Sequence, residues 1–201
     1  MPPAEPFVAG LVLAAGGSSR LGRPKQLLPF GDATLLDHTV ATARECRFDQ
    51  LMVALGGAAD DIRATVDLSG AEVVVNQDFG EGCSSSIAAA IGAVDERAEA
   101  LVLLLGDQPG VTADTVRALI AGRGGAELAV CRYDEGRGHP FAFARSVFGE
   151  LGTLHGDKAV WKLLDRRGDA VSEVRVPGPI PLDVDTWKDY EAVLASAAAS
   201  A

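Results

Sequence analysis

Residues 13–25 gather the chemistry most readily named in this sequence: Leu13-Ala14-Ala15-Gly16-Gly17-Ser18-Ser19, followed by Arg20, Arg23 and Lys25. Glycine lacks a Cβ and tolerates positive φ, so a run of small residues can curl and aim several backbone N–H groups at one anion. Three cations within six positions add the charge that a phosphate chain needs. The stretch departs from a Walker A loop, because Arg23-Pro24 follow Gly22 where Lys-Ser/Thr would stand. It also lacks the G-x-G-x-x-G of a dinucleotide site. A second candidate is Gly106-Asp107-Gln108-Pro109, directly after an apolar run. A carboxylate there offers a hard oxygen to a divalent cation such as Mg²⁺ or, in a purely structural role, accepts from turn N–H groups. Asp183 and Asp185 lie two apart, so on extended backbone both face the same way.

The elements that must position these groups are legible in the hydropathy. Apolar runs at 7–13, 51–55, 72–75, 100–105 and 127–131 are mostly continuous rather than alternating, as in strands covered on both faces. Helical patterns at 35–46, 60–66, 85–97 and 112–121 separate them. This alternation predicts an α/β fold built on a doubly wound, mostly parallel sheet. Ligands of such sheets bind beyond the carboxyl ends of the strands, where Gly16, Gly56, Asn76 and Asp107 fall. In the second half, Phe141-Ala142-Phe143-Ala144 alternates like an antiparallel strand, 157–167 and 185–195 read as helices, and 171–176 reads as a strand. No repeat or low-complexity linker interrupts the pattern. The expectation is one domain over 1–201, with its core at 7–190 and a tail at 195–201.

Composition narrows the partners. With 48% hydrophobic and 23% charged residues, the chain has the balance of a soluble globular protein. No apolar stretch approaches membrane-spanning length, and residues 1–6 lack the organisation of a signal peptide. Cys46, Cys83 and Cys131 are odd in number and widely spaced, which predicts a reduced cytoplasmic protein without structural zinc. A net charge of −10 argues against nucleic acid as partner. It leaves a nucleotide open, since a local cation cluster with a bound metal ion sets the field of its own site.

The stretch 13–28 resembles the signature L-A-[AG]-G-x-S-x-R-[ML]-G-x-x-K of nucleotidyltransferases related to molybdenum cofactor synthesis. Leu13-Ala14-Ala15-Gly16, with Pro24-Lys25-Gln26-Leu27-Leu28, is most similar to the CTP-dependent branch. The resemblance runs from Leu11 to about Tyr190. It implies a Rossmann-like nucleotidyltransferase that uses Mg²⁺ to transfer a cytidylyl group from CTP to the terminal phosphate of molybdopterin. A molybdenum hydroxylase or its maturation factor is the implied downstream partner. Residue by residue, it implies that Leu13, Ala14, Ala15, Gly16 and Gly17 cradle the nucleotide with Arg20 and Lys25 on the triphosphate. Gly106-Asp107-Gln108-Pro109 matches the family's G-D-x-P without change, and Leu182-Asp183-Val184-Asp185-Thr186 resembles its D-[IV]-D-T segment, so Asp107 and Asp185 become the implied metal pair. The run 76–86 resembles a loop N-x-x-[FW]-x-x-G-[ML]-x-[ST]-S, implying nucleotide contacts from Asn76, Gly82 and Ser85, with Gly56 beside them. Gly138-His139-Pro140 resembles the G-x-P segment beside the acceptor, and Asp157 sits in a partial match to G-D-x-G-A-R.

The chain departs from the family pattern at three places: Cys83 replaces Met, Trp187 replaces Pro, and Ala159-Val160-Trp161 replace Gly-Ala-Arg. The last change leaves the acceptor open. A transferase of the same fold using another NTP or another small phosphorylated acceptor is one alternative, and a nucleotide sensor without turnover is another. Some of these residues have structural alternatives as well. Ser84 is a candidate N-cap for helix 85–97, and Thr186 with Asp189 has capping-box spacing. If Asp107 and Asp185 share a metal, they should converge without it, each raising the other's proton affinity.

Overall fold

The computed structural model describes residues 6–156 and 158–200. Its strands and helices follow in chain order. β1 is Val8–Ala14, β2 Pro29–Phe30, β3 Ala33–Thr34, α1 Leu35–Glu45, β4 Gln50–Leu55, α2 Ala59–Thr65, β5 Glu72–Val75 and α3 Cys83–Ile91. The second half contributes β6 Ala100–Leu105, α4 Ala113–Arg123, β7 Leu128–Arg132, β8 Arg137–Ala144, α5 Phe148–Leu151, α6 Ala159–Arg167, β9 Val171–Arg175 and α7 Trp187–Ser200. Seven strands form one sheet in the order β5-β4-β1-β6-β8-β7-β9. All neighbouring pairs are parallel except those of β8, which runs antiparallel to both β6 and β7. The fold is thus the α/β, mostly parallel sheet that the hydropathy predicts, and its antiparallel element is the strand carrying Phe141 and Phe143.

The continuous apolar runs are explained by two cores, one on each face of the sheet. Val8 and Val12 point to the face covered by α1, α2 and α4, where they meet Leu36, Ile62 and Leu119. Ala9 and Leu11 point to the opposite face, against Ile87 of α3 and Leu163 of α6. A strand buried on both sides has no polar face, so its sequence shows no alternation. β8 obeys the period of two: Phe141 and Phe143 join the second core while Ala142 joins the first.

Register aligns the strand ends. Leu13 pairs with Ala54 and Leu105, and Leu55 pairs with Val75. The residues that follow each strand therefore emerge at one edge of the sheet, and that edge carries the candidate site.

Several boundaries differ from the sequence reading. The helix expected over 85–97 starts two residues earlier and ends at Ile91. Gly92 follows it, and the next turn is taken up by Gln50, whose side chain donates to Ala93 O (2.8 Å) and accepts from Asp95 N (2.8 Å). Its N-cap is Gly82, at φ 99°, so Ser84 is a buried residue inside the helix rather than its cap. The closing helix begins at Trp187 and runs to Ser200, through much of the stretch read as a tail. Thr186 and Asp189 do form a capping box, Asp189 Oδ2 accepting from Thr186 N (2.8 Å) and Asp189 N donating to Thr186 Oγ1 (3.3 Å). Among the described residues, no helix is long and apolar enough to cross a membrane.

Gly56 shows how tightly the sheet edge is packed. A Cβ there would lie 2.5 Å from Ala15 O and 2.8 Å from Phe79 Cβ. Because one of those atoms is backbone, the strain has no cheap outlet. Gly56→Ala should destabilise the protein by about 1–3 kcal/mol, a drop in Tm of about 3–10 °C in thermal denaturation. An unchanged Tm would contradict this packing.

Candidate active site

β1 ends at Ala14 and the chain turns through a loop held from beneath by one side chain. Gln26, only 2% exposed, donates from Nε2 to Ala14 O (2.7 Å) and to Gly16 O (3.1 Å). Ser18 adopts a left-handed φ of 48°, and its Oγ accepts from Lys25 N (2.9 Å). These bonds fold the loop back on itself, so Lys25, at the start of a single 3₁₀ turn, is aimed across it.

The Lys25 ammonium meets two carboxylates brought from far along the chain. It pairs with Asp107 and donates to Asp185 Oδ1 at 2.9 Å. Arg20 Nη1 reaches Asp185 Oδ2 at 3.2 Å. Asp107 lies two residues beyond the end of β6, so the strand places it. Asp185 needs further support: Val184 N donates to Asp107 O (3.2 Å), and the Val184 side chain, 0% exposed, packs with Leu21, Leu28, Leu35 and Val193. Val184 points into that cluster, leaving Asp183 and Asp185 on the other side, and both line the cleft. The Tyr190 hydroxyl, donating to Pro29 O (2.6 Å), ties α7 to the same region.

The electrostatics follow from this geometry. Burial pushes the Asp107 carboxyl above the usual carboxylate range; Lys25 opposes the shift, while Asp183 and Asp185 add to it. Burial alone would lower the proton affinity of Lys25, but Asp107 and Asp185 more than offset it and hold the ammonium above its ordinary value. Asp185 moves the other way from expectation. The hydrogen bond from Lys25, with the charges of Lys25 and Arg20, holds it below the carboxylate range. The expected mutual raising therefore applies to Asp107 alone, because a cation stands between the two acids.

The loop and the acidic pair border a cleft of about 920 Å³. Leu13 through Gly17, Arg20, Lys25, Gly82, Asp107, Asp185 and His139 all line it. Asn76, Ser85, Gly56 and Pro140 do not. Asn76 Nδ2 donates to Ser85 Oγ (2.8 Å) and Ser86 Oγ (3.0 Å), and Ser85 donates to the carbonyls of Gly82 (2.8 Å) and Asp78 (2.9 Å). These two residues hold the loop 76–86 from behind and border a separate hollow of about 260 Å³. Gly56 lies against Ala15, and Pro140 is buried in β8. Asp157, the remaining acceptor candidate, lies outside the described residues.

Sequence reading missed several groups on the cleft: Gln26, Ser86, Leu103, Phe141 and Trp161. His139 stacks on Phe141 with ring centroids 4.0 Å apart, and burial pushes its imidazole down to about 3, so it is uncharged at neutral pH. Among the described residues, no group of three or more His, Cys, Asp or Glu forms a preassembled metal cage. Two carboxylates that converge on a cation nonetheless match the donor set of a divalent ion whose remaining ligands are water and substrate phosphate. The Lys25 ammonium lies between Asp107 and Asp185.

Removing the ammonium should expose the cost of burying Asp107. Lys25→Met should lose about 3 kcal/mol of stability at neutral pH, as when one partner of a buried ion pair is deleted. In that variant the folded-state pKa of Asp107 stands further above its unfolded value. Its favourable contribution is then complete below about pH 4 and is lost as pH rises through the folded value. The deficit against wild type in urea titrations should shrink on acidification, and adding Asp107→Asn should recover most of it at pH 7. A deficit independent of pH would contradict the pairing.

Comparison with known proteins identifies the family. The MobA-like NTP transferase domain matches residues 10–171. The chain is 32% identical over 163 residues to nicotine blue oxidoreductase of Paenarthrobacter nicotinovorans, covering 73% of this chain and 79% of that protein. A solved Rv0371c homologue from Mycobacterium sp. strain JC1 is 56% identical with a TM-score of 0.92, covering 97% of this chain and 98% of its own. Rv0371c of Mycobacterium tuberculosis H37Rv, solved as a complex with manganese, is 49% identical with a TM-score of 0.86, covering 94% and 99%. The chain belongs to the MobA-like NTP transferase family and is a nucleotidyltransferase.

Proposed function

We propose that this enzyme transfers the cytidylyl group of CTP to the terminal phosphate of molybdopterin, releasing pyrophosphate. The observation that carries the reading is the convergence of Lys25 with Asp107 and Asp185 beside the small-residue loop. An acceptor phosphate oxygen attacks the α-phosphorus, a new P–O bond forms, and the bond from the α-phosphorus to the bridging oxygen breaks. Its electron pair leaves with pyrophosphate. A phosphate monoester is already a nucleophile at neutral pH, so the site needs positioning and charge neutralisation rather than a strong base. His139, uncharged, is not asked to take a proton.

Arg20 and Lys25 hold the triphosphate and neutralise charge as pyrophosphate departs, while the amides of residues 14–17 bind its oxygens. Asp107 and Asp185 would hold a Mg²⁺ ion, which when bound neutralises charge on the phosphates. Rv0371c, solved as a complex with manganese, supports a divalent ion as cofactor. Ala15 lines the cleft, and its methyl takes room that glycine would leave, which supports cytosine over a larger purine. The family resemblance, rather than any feature of the site, is what supports a cytoplasmic setting and a molybdenum hydroxylase or its maturation factor as recipient of the product.

Pyrophosphate release with each of the four NTPs, with and without molybdopterin, tests this reading: release should require both CTP and the pterin. Lys25→Ala should lower the rate by ~10²–10³, and Asp107→Asn or Asp185→Asn should abolish it. In thermal-shift measurements with Mg²⁺, CTP at a hundred times its Kd should raise Tm by about 5–10 °C. Equal or greater stabilisation by GTP would overturn the cytidine assignment.

A further inference from the structure

The cleft has two chemically different ends. One carries Arg20, Lys25, Asp107 and Asp185; the other is walled by Leu103, Phe141, Val160 and Trp161, with His139 beside them. At about 920 Å³ the cleft stands near the top of the range for small-molecule sites, about 300–1,000 Å³. It therefore has room for an acceptor beside a nucleotide. Leu103 pairs with Phe141 across β6 and β8, four residues before Asp107. At ~3.3 Å per residue, Leu103 stands about 13 Å along the chain from Asp107.

The rings in that wall are fixed. Phe141 is fully buried and meets Trp161 edge to face, with centroids 5.0 Å apart at 90°. Trp161 stands edge to face against His139 as well, at 5.8 Å and 88°. Trp161 is half-buried at the start of α6, whose Val160, Leu163 and Leu164 anchor the helix in the core. His139 makes no side-chain hydrogen bond among the described residues, and a neutral imidazole presents one donor and one acceptor. The exposed Lys158 stands at the rim. A wall of flat apolar rings with one neutral hydrogen-bonding ring suits an uncharged planar heterocycle. It offers little to the hydroxyl array of a sugar.

We propose that Trp161, backed by Phe141 and His139, receives a planar, uncharged heteroaromatic ring of the phosphorylated acceptor, so that the enzyme selects ring-bearing phosphate esters over sugar phosphates. The proposal rests on the transferase reading above and deepens it. Trp161 acts on specificity: it binds the body of the acceptor and leaves the reacting phosphate to Lys25 and the acidic pair.

Equilibrium dialysis of the full chain, with Mg²⁺ and a non-hydrolysable CTP analogue, measures affinity for pterin-6-ylmethyl phosphate, 1-naphthyl phosphate and glucose 1-phosphate. Wild type should bind the pterin ester tightest and glucose 1-phosphate weakest. Trp161→Leu should weaken the pterin ester by about 10–100-fold, the range of one base–aromatic stacking contact, and leave glucose 1-phosphate and the CTP analogue unchanged. Trp161→Phe, which keeps a ring, should stay within a few-fold of wild type. In turnover, Trp161→Leu should raise KM for the acceptor with kcat and KM for CTP preserved. Wild type binding glucose 1-phosphate at least as tightly as the pterin ester would overturn the proposal without any variant, and so would a folded Trp161→Leu with unchanged pterin affinity. If pyrophosphate release from CTP persists in either case, the transferase reading stands and only the ring subsite fails. If the affinities follow the expected order but no pyrophosphate is ever released, the transferase reading fails instead.

Discussion

One ammonium shared between two carboxylates organises this molecule. Lys25 sits on the loop after β1, Asp107 after β6, and Asp185 on the segment before α7, and the three meet at a single point. Burying Asp107 without Lys25 would be costly, and placing Lys25 there without the acids would lower its proton affinity, so each group makes the others tolerable. On the proposed reading the interaction is also exchangeable: two acids holding a cation would release it to the phosphates of a nucleotide and take a divalent ion in its place.

The rest of the fold delivers those three groups. The parallel register of β1 with β4 and β6 sets the strand ends level, which fixes the loop and Asp107 on one edge. β8, antiparallel to its neighbours in the main sheet, extends that sheet beyond β6 and brings Phe141 next to Leu103, giving the cleft its apolar end. A small third core around Val184 locks the C-terminal segment against the loop exit, and the backbone bond from Val184 to Asp107 sets its distance. The overall charge of −10 has little bearing on the site, because the cations that matter lie within it.

What the sequence disclosed was the chemistry carried by local pattern. A small-residue loop after an apolar run and an aspartate at the next strand's end are local signals, and Lys25, Arg20 and Asp107 were legible for that reason. Asp185 needed the family resemblance, since no local pattern joins it to a loop some 160 residues earlier. Groups whose meaning is tertiary stayed hidden. Gln26 sits between Lys25 and two leucines and gives no sign that it clamps the loop carbonyls. Asn76 follows a strand and Ser85 stands where the sequence predicts a helix start, as ligand contacts do, yet they satisfy each other instead. Ser84 looks like an N-cap, but Gly82 takes that position at a φ that glycine adopts easily. Trp161 reads as a mere departure from a motif until β8 places Phe141 and His139 against it.

The central claim is that the position now held by the Lys25 ammonium becomes the divalent-ion site when nucleotide is bound. Anomalous diffraction at the manganese edge, from crystals grown with Mn²⁺ and a non-hydrolysable CTP analogue, tests it most directly. The account predicts one strong manganese peak coordinated by Asp107 and Asp185, with Lys25 moved onto the phosphates. Manganese bound elsewhere, with Lys25 still paired to both acids beside a bound nucleotide, would contradict it.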